Sequence, residues 1–265
     1  MIDKKRIALA TIDEACKGYG CSKVFCLFSG GDDSTAALRV AVEHPNFVAA
    51  VHCNTGIGVE QTRIHARETC KKLGVPLIEY EAAKNVNAKG ESDPQIYEQM
   101  VLEYGFPGPT KFGHGKMYVR LKERGIARLL REHTDRQENV VLASGCRNEE
   151  SVRRMGTTKR IQQGEVYPSG HVNKRRIWVN HLFDWTKADT LEFAYQNGMK
   201  RNPVSKLIGM SGECLCGAYA KEGELERLMS HDLTREVGGV YLRAGEARQG
   251  GRLSVGMVRS PTEGV

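Results

Sequence analysis

Val24-Phe25-Cys26-Leu27-Phe28-Ser29-Gly30-Gly31-Asp32-Asp33-Ser34-Thr35-Ala36-Ala37-Leu38 is the stretch on which the fold turns. Val24–Phe28 is a continuous apolar run, the pattern of a strand buried on both faces, as in a parallel sheet. It stops at Ser29-Gly30-Gly31, and Asp32 and Asp33 then open a helix carrying Ala36, Ala37, Leu38 and Val40. Acids in a first turn complement the helix dipole. Glycines let a ligand approach the backbone closely, and a helix N-terminus offers unpaired N–H groups to an anion. With the hydroxyls of Ser29 and Ser34 added, the turn is built to hold a pyrophosphate. It lacks the Gly-Lys-Ser/Thr ending of a Walker loop and the glycine spacing of the dinucleotide fingerprint. An ordinary strand-to-helix turn that merely needs glycine is the plain alternative.

The alternation spreads outward from there. Residues 3–18 place Ile7, Ala8, Ile12 and Ala15 at helical spacing. Phe47–Cys53 reads as a strand, Val59–Leu73 as a helix ended by Gly74, and Pro76–Tyr80 as a short strand. Gly105–Gly115 reads as a loop, followed by a basic helix over 118–133. Asn139–Ser144 and Arg176–Leu182 are further strands, and Thr186–Gly198 is a helix with Thr186 at its cap. Strands alternating with helices predict an α/β fold, a doubly wound and mostly parallel sheet. Beyond Asn202 the pattern turns irregular. The expected division is therefore a domain over 1–200 and a cysteine-bearing extension over 201–265 packed on it, a small appendage or flexible end.

Among the 265 residues, 39 Lys and Arg stand against 32 Asp and Glu, a net charge of +7. That excess suits an anionic substrate without separating a nucleotide from a nucleic acid. At 40% hydrophobic and 27% charged, a chain of this length can bury its own core, which excludes disordered, collagenous and disulfide-dense classes. Apolar runs are short, so no membrane association is expected, and the charged Met1–Arg6 segment lacks the apolar stretch of a signal peptide. Eight cysteines in this setting read as reduced thiols, metal ligands or sulfur chemistry in the cytoplasm.

Ser29–Ser34 resembles the PP-loop of ATP pyrophosphatases, whose pattern is Ser-Gly-Gly-x-Asp-Ser. Three further segments narrow the resemblance to the phosphoadenosine-phosphosulfate (PAPS) reductase-like branch. They are Asn54-Thr55-Gly56, then Gly145-x-Arg147-x-x-Glu150-Ser151-x-x-Arg154, then Trp185-Thr186-x-x-Asp189. The resemblance spans residues 22–220 and is closest in type to the ATP pyrophosphatase subunits of DNA phosphorothioation systems. It implies a Rossmann-like adenine-nucleotide α-hydrolase fold that binds ATP and Mg²⁺. On that basis Ser29, Gly30, Gly31, Asp33, Ser34 and Gly145 bind the pyrophosphate portion, and Asp33 is also the candidate Mg²⁺ ligand. Arg147 and Arg154 become catalytic candidates that stabilise charge during adenylyl transfer. The bland reading is that Glu150 pairs with Arg153 or Arg154 on a solvated face. His52, Cys53 and Asn54, at the end of a strand beside the first, are expected to border the adenine or ribose.

Cysteine is the second theme. Cys214-Leu215-Cys216 lies in the glycine-flanked bend Ser211–Gly217. Two thiols this close can ligate one metal, form a mixed disulfide or relay sulfur. An iron–sulfur cluster held by Cys214 and Cys216 would need further ligands, since such clusters usually take four cysteines. Cys146 follows a strand end inside the arginine signature, so it is expected near the nucleotide, with Arg147, Arg153 and Arg154 favouring its thiolate. Cys16, Cys26 and Cys70 read as small buried hydrophobes. Lys111–Lys122 interleaves aromatics with cations, a string that fits a nucleic-acid groove and a solvated helix equally.

Three activities compete within the resembled family. Thioredoxin-dependent PAPS reductases use a cysteine in a Glu-Cys-Gly-Leu-His segment, from which Glu213-Cys214-Leu215-Cys216 departs. Iron–sulfur APS reductases use adjacent cysteines, and this chain has none. Sulfur insertion, as in DNA phosphorothioation and tRNA thiolation, activates a nucleic-acid oxygen, releases pyrophosphate and receives sulfur from a cysteine desulfurase or another donor. The expectation is therefore cleavage of ATP between its α and β phosphates, coupled to sulfur transfer onto nucleic acid, with the DNA backbone favoured. Cys146 or the Cys214/Cys216 pair would carry the sulfur. The alternatives are sulfonucleotide reduction, tRNA thiolation and, outside enzymes, a nucleotide-binding module. A homodimer is compatible with all of these.

Overall fold

The computed structural model describes residues 1–84, 92, 95–108, 111–150, 158–164 and 174–249, with side chains except at 111–114 and 247–249. The strand read first, β1 (Lys23–Leu27), is central in a six-stranded sheet. The others are β2 (Phe47–Asn54), β3 (Leu77–Glu81), β4 (Val140–Ser144), β5 (Ile161–Gln163) and β6 (Arg176–Asn180), and the sheet order is β3-β2-β1-β4-β6-β5. β1 pairs parallel with β2 and β4 through Cys26↔Ala50 and Cys26↔Ala143, and β4 pairs parallel with β6. β5, a three-residue strand, pairs antiparallel with β6. Its Ile161-Gln162-Gln163 has no apolar run to announce it.

Ten α-helices accompany the sheet among the described residues. They are α1 (Ile2–Tyr19), α2 (Asp32–Ala41), α3 (Glu60–Leu73), α4 (Ile96–Tyr104), α5 (Lys111–Tyr118), α6 (Arg124–His133), α7 (Lys187–Gln196), α8 (Pro203–Ile208), α9 (Glu224–Met229) and α10 (Asp232–Gln249). Val24, Cys26, Val141, Ala143, Ile177 and Val179 pack in one core with Ala8, Ile12, Leu38 and Ala66 of the helices. Phe25 alternates to the other face and meets the His133 ring at 6.2 Å between centroids. Covering both faces is what makes β1, β4 and β6 continuous apolar runs, each fully buried Val, Leu or Phe contributing about 1.5–3 kcal/mol.

Three expectations fail here. The segment read as a loop over Gly105–Gly115 is helical from Lys111, and the helix expected over 118–133 is interrupted by a π-helical turn, Val119–Glu123. Buried Met117, Leu121, Ile126 and Leu130 explain it: the step from Leu121 to Ile126 is five residues, one too many for an α-helix, and the wider turn absorbs it. The region after Asn202, read as irregular, contains α8, α9 and α10. A Cβ on Gly238 would lie 2.5 Å from Met229 Sδ, so a larger residue there would have to push the Met229 side chain aside.

The chain forms two compact units, interleaved in sequence rather than divided once at 200/201. One comprises Met1–His52, Ile64–Glu79 and Leu129–Ser211, and holds most of the sheet. The other comprises Cys53–Arg63, Tyr80–Arg128 and the described residues from Gly212 onward, with the Tyr241 ring set edge-on to Tyr97 and Phe106 at its centre. No helix among the described residues is long and apolar enough to cross a membrane.

Candidate functional site

After β1 the chain moves outward through β2 and β3, then returns to place β4 on the other side of β1. The loops leaving β1 and β4 therefore flank the point where strand order reverses, which is where open α/β sheets bind ligands. Gly30, at φ 75°, uses the left-handed backbone that glycine alone adopts freely, and Gly31 caps α2. The Ser34 and Thr35 hydroxyls donate to the Gly31 carbonyl at 3.0 and 2.8 Å, and Ser29 Oγ lies 3.1 Å from Ser34 Oγ. A Cβ on Gly145, the first residue beyond β4, would fall 2.6 Å from the Asp33 carbonyl oxygen and 2.9 Å from the Ser34 nitrogen. Asn202 Nδ2 donates to the Gly30 carbonyl at 2.9 Å. The turn is thus held on both flanks.

Cations crowd its two acids. Arg147 Nη2 donates to Asp33 Oδ2 at 3.1 Å, while Lys187 Nζ (3.1 Å) and Thr190 Oγ1 (2.9 Å) donate to Asp33 Oδ1. Arg201 grips Asp32 with two bonds of 3.0 Å, and Lys187 reaches its Oδ2 at 3.1 Å. Burial alone would raise the Asp32 carboxyl, but the bonds from Arg201 and Lys187 hold it below its ordinary value. Three cations against two carboxylates, at a helix N-terminus, leave a surplus of positive potential for an anion. Arg147 is buried, and its Nε has no hydrogen-bond partner among the described residues. Asp33 does not fit the magnesium role expected of it. Both its oxygens are engaged, and a hard-oxygen ion shell would require it to shed Arg147 or Lys187.

The remaining expected residues separate. His52 is fully buried and its Nδ1 meets the Phe28 carbonyl at 2.7 Å, so it ties β2 to the end of β1. Cys53 is half-buried with its thiol on the Lys122 carbonyl at 3.8 Å, and burial pushes that thiol up to about 12. Asn54 Oδ1 accepts from the Gly56 N–H at 3.1 Å, a local turn. Cys146 is half-buried, its N–H on Ser144 Oγ at 3.2 Å, one residue before the arginine that reaches Asp33. Arg154, with Ser151 and Arg153, lies outside the described residues. Trp185 is buried edge-on against Phe193, and Asp189 closes a capping box with Thr186 while pairing with Lys4.

Sequence reading missed Lys187, Thr190, Arg201 and Asn202. Lys187 and Thr190 are three apart on α7 and so share a face, and Asn202-Pro203 is a helix-start signal. Those were the available clues.

The second unit holds the Cys214-Leu215-Cys216 bend. Thr55 N–H donates to Glu213 Oε1 at 3.0 Å and Thr55 Oγ1 to the Glu213 carbonyl at 2.6 Å. Leu215 N–H bonds the Ile57 carbonyl at 2.9 Å, and Tyr97 OH the Cys216 carbonyl at 3.1 Å. A Cβ on Gly58 would lie 2.3 Å from the Glu213 carbonyl oxygen, so glycine is required there. Glu213 is a strut here. Cys214 is half-buried, Cys216 is buried, and their side chains are hydrogen-bonded. No group of three or more His, Cys, Asp or Glu among the described residues is arranged to hold a metal ion. The iron–sulfur expectation for Cys214 and Cys216 is thereby left without its remaining ligands.

Residues 23–207 match the phosphoadenosine phosphosulfate reductase domain. The chain belongs to that family. Its Ser29–Ser34 turn, which resembles a PP-loop, sits on a mostly parallel sheet flanked by helices. Among curated proteins none matches significantly. Two solved structures share this PAPS reductase-like fold over nearly their whole length, each at 14% identity and a TM-score of 0.51. NMN synthetase from Francisella tularensis aligns over 96% of both chains. The NH3-dependent NAD synthetase from Campylobacter jejuni subsp. jejuni NCTC 11168, in complex with nitrate ion, aligns over 95% of this chain and 96% of its own. A PAPS reductase from Candida auris, a phosphate complex, aligns over 70% of this chain and 77% of its own at 17% identity, with a TM-score of 0.46.

Proposed function

We propose that this chain is an ATP pyrophosphatase that activates a nucleic-acid oxygen, with the DNA backbone favoured, for sulfur transfer. In this reading the acceptor oxygen attacks the α-phosphorus of ATP, the bond to the β-phosphate breaks, and pyrophosphate leaves. Ser29, Ser34 and the N–H groups at the start of α2 receive the pyrophosphate. Lys187 and Arg147, whose Nε is free to donate, offset the charge that develops on it. Magnesium arriving with the nucleotide would neutralise phosphate charge. A sulfur nucleophile then displaces AMP from the activated acceptor. The observation that carries the sulfur step is the Cys214–Cys216 bend, two free thiols two positions apart in a braced loop. A cysteine desulfurase or another persulfide donor supplies the sulfur.

The family match itself favours a second reading, reduction of a sulfonucleotide. One experiment separates the two. The chain is expressed with a cysteine desulfurase, nucleic acids are digested, and products are analysed by mass spectrometry. In parallel, purified protein is given PAPS or APS and a dithiol reductant. Phosphorothioate DNA together with ATP-derived AMP and pyrophosphate is the expected result. Thiolated tRNA would redirect the acceptor, and sulfite without pyrophosphate release would overturn the reading in favour of reduction.

A further inference from the structure

A second concavity opens against the first turn of α2, within the compact unit that holds most of the sheet. It measures about 380 Å³, and Asp32 and Thr35 of α2 line it together with residues of α7, α8 and the 199–201 segment between them. That volume is in the range of small-molecule pockets. Neither Ser29–Gly31 nor Asp33, Ser34 or Arg147 lines it, so it is separate from the residues proposed to receive phosphate. Leu191, Ala194 and buried Met199 make one part of the wall apolar. Tyr195 also lines it, with 83% of its surface exposed.

The charge of the lining is one-sided. Lys200, Arg201 and Lys206 stand there with a single carboxylate, Asp32. Asp32 is already held, by two 3.0 Å bonds from Arg201 and by Lys187 at 3.1 Å. Glu192 of α7 is outside the lining and accepts from Gln196 at 2.8 Å. Neither the Lys200 nor the Lys206 ammonium has a carboxylate partner among the described residues. An apolar wall therefore shares one cavity with two uncompensated ammonium groups.

We propose that this cavity is a second ligand site, for a small organic anion with a flat apolar body, such as an aromatic carboxylate or sulfonate. The body covers Leu191, Ala194 and Met199, removing their apolar surface from water, and the Tyr195 ring packs against it in an offset stack. The anionic end takes charge-assisted hydrogen bonds from Lys200 and Lys206. A neutral ligand would strip water from both ammonium groups and give nothing back, and a cation would be repelled, so the site selects negative charge. Inorganic phosphate has no body to set against Leu191 and Met199.

The probe is 8-anilinonaphthalene-1-sulfonate, which brightens on leaving water, titrated onto the full-length protein with melting curves for every variant. One-to-one binding that ATP does not displace is expected. Lys200→Gln combined with Lys206→Gln should weaken it by about tenfold or more, since each change removes a hydrogen bond to a charged group. Ala194→Trp should fill the cavity and abolish binding. N-Phenyl-1-naphthylamine, the same rings without the sulfonate, should bind about tenfold more weakly. Should Ala194→Trp not fold, the two exposed lysine changes decide alone. Dye binding that survives Ala194→Trp in a folded protein, or that ignores the lysine changes, overturns the proposal. Competitive displacement by ATP overturns it too, because the cavity would then belong to the nucleotide seat. Equal affinity for the neutral analogue overturns the selection for an anion.

Discussion

Replacing Gly145 by alanine should damage the PP-loop without touching any loop residue. The added Cβ would sit 2.6 Å from the Asp33 carbonyl oxygen, 2.7 Å from the Asp33 carbonyl carbon and 2.9 Å from the Ser34 nitrogen. All three are backbone atoms of the first turn of α2, so no flexible side chain can swing aside. Overpacking of this kind costs about 1–3 kcal/mol. Restricting the unfolded chain by exchanging glycine for alanine returns about 0.4–1 kcal/mol. The net loss of about 1–2 kcal/mol should lower the melting temperature by about 2–8 °C for a chain of this size. Because the displaced atoms include the Ser34 N–H, one of the groups proposed to receive phosphate, nucleotide affinity should fall by about tenfold, equivalent to about 1.4 kcal/mol. Thermal unfolding and titration calorimetry with ATP measure the two effects. Gly18→Ala is the control: nothing lies within 4 Å of its Cβ, and in exposed helix it should stabilise by about 0.5–1 kcal/mol. A Gly145→Ala protein that melts with the native one and binds ATP equally well would refute the packing argument.

Asp33→Ala should abolish conversion of ATP to AMP and also lower stability by about 1–3 kcal/mol, because it strips buried Arg147 of its carboxylate. AMP release at the native rate would contradict the assignment. Thr186→Ala should cost about 1 kcal/mol by removing the cap of α7, the helix that delivers Lys187 and Thr190 to Asp33, and chemical unfolding would show it. Stability should also fall in acid. His181 is fully buried and burial lowers it from 6.5 to about 4, so the unfolded chain takes up a proton that the folded one refuses. That stability is present above pH 6.5 and lost as pH falls towards 4, about 3 kcal/mol from this residue, with His44 and His65 shifted the same way. Urea unfolding that gives the same free energy at both ends of this window would disprove it.

What was legible in the sequence was local. β1, β2, β4 and β6 announce themselves because burial on both faces writes an unbroken apolar run, and Ser29–Ser34 is readable because its glycines and hydroxyls are neighbours in the chain. Gly145 was found through its motif, but its role as a wedge space against Asp33 required the fold. The misses share a cause. β5 has two glutamines and one apolar residue, and α10 hides behind its glycines, of which Gly238 packs against Met229. Lys187 and Arg201 reach their aspartates across 154 and 169 residues, separations at which no spacing rule operates. His52 was read from a strand end near a crevice, and the fold adds what spacing could not, its Nδ1 contact with the Phe28 carbonyl.

The clamp on Gly30 sets an order of events during synthesis. The glycine turn emerges early, yet the Asn202 amide that secures its carbonyl lies 172 residues later. At about 5–20 residues per second, roughly 10–35 s pass between the two. Throughout that interval the nascent chain carries the turn without its clasp, and without Lys187, Thr190 or Arg201. Nucleotide binding should therefore switch on late and abruptly as translation nears residue 202. Ribosome-bound chains arrested before that point should be blind to ATP even though their first strand and helix are complete.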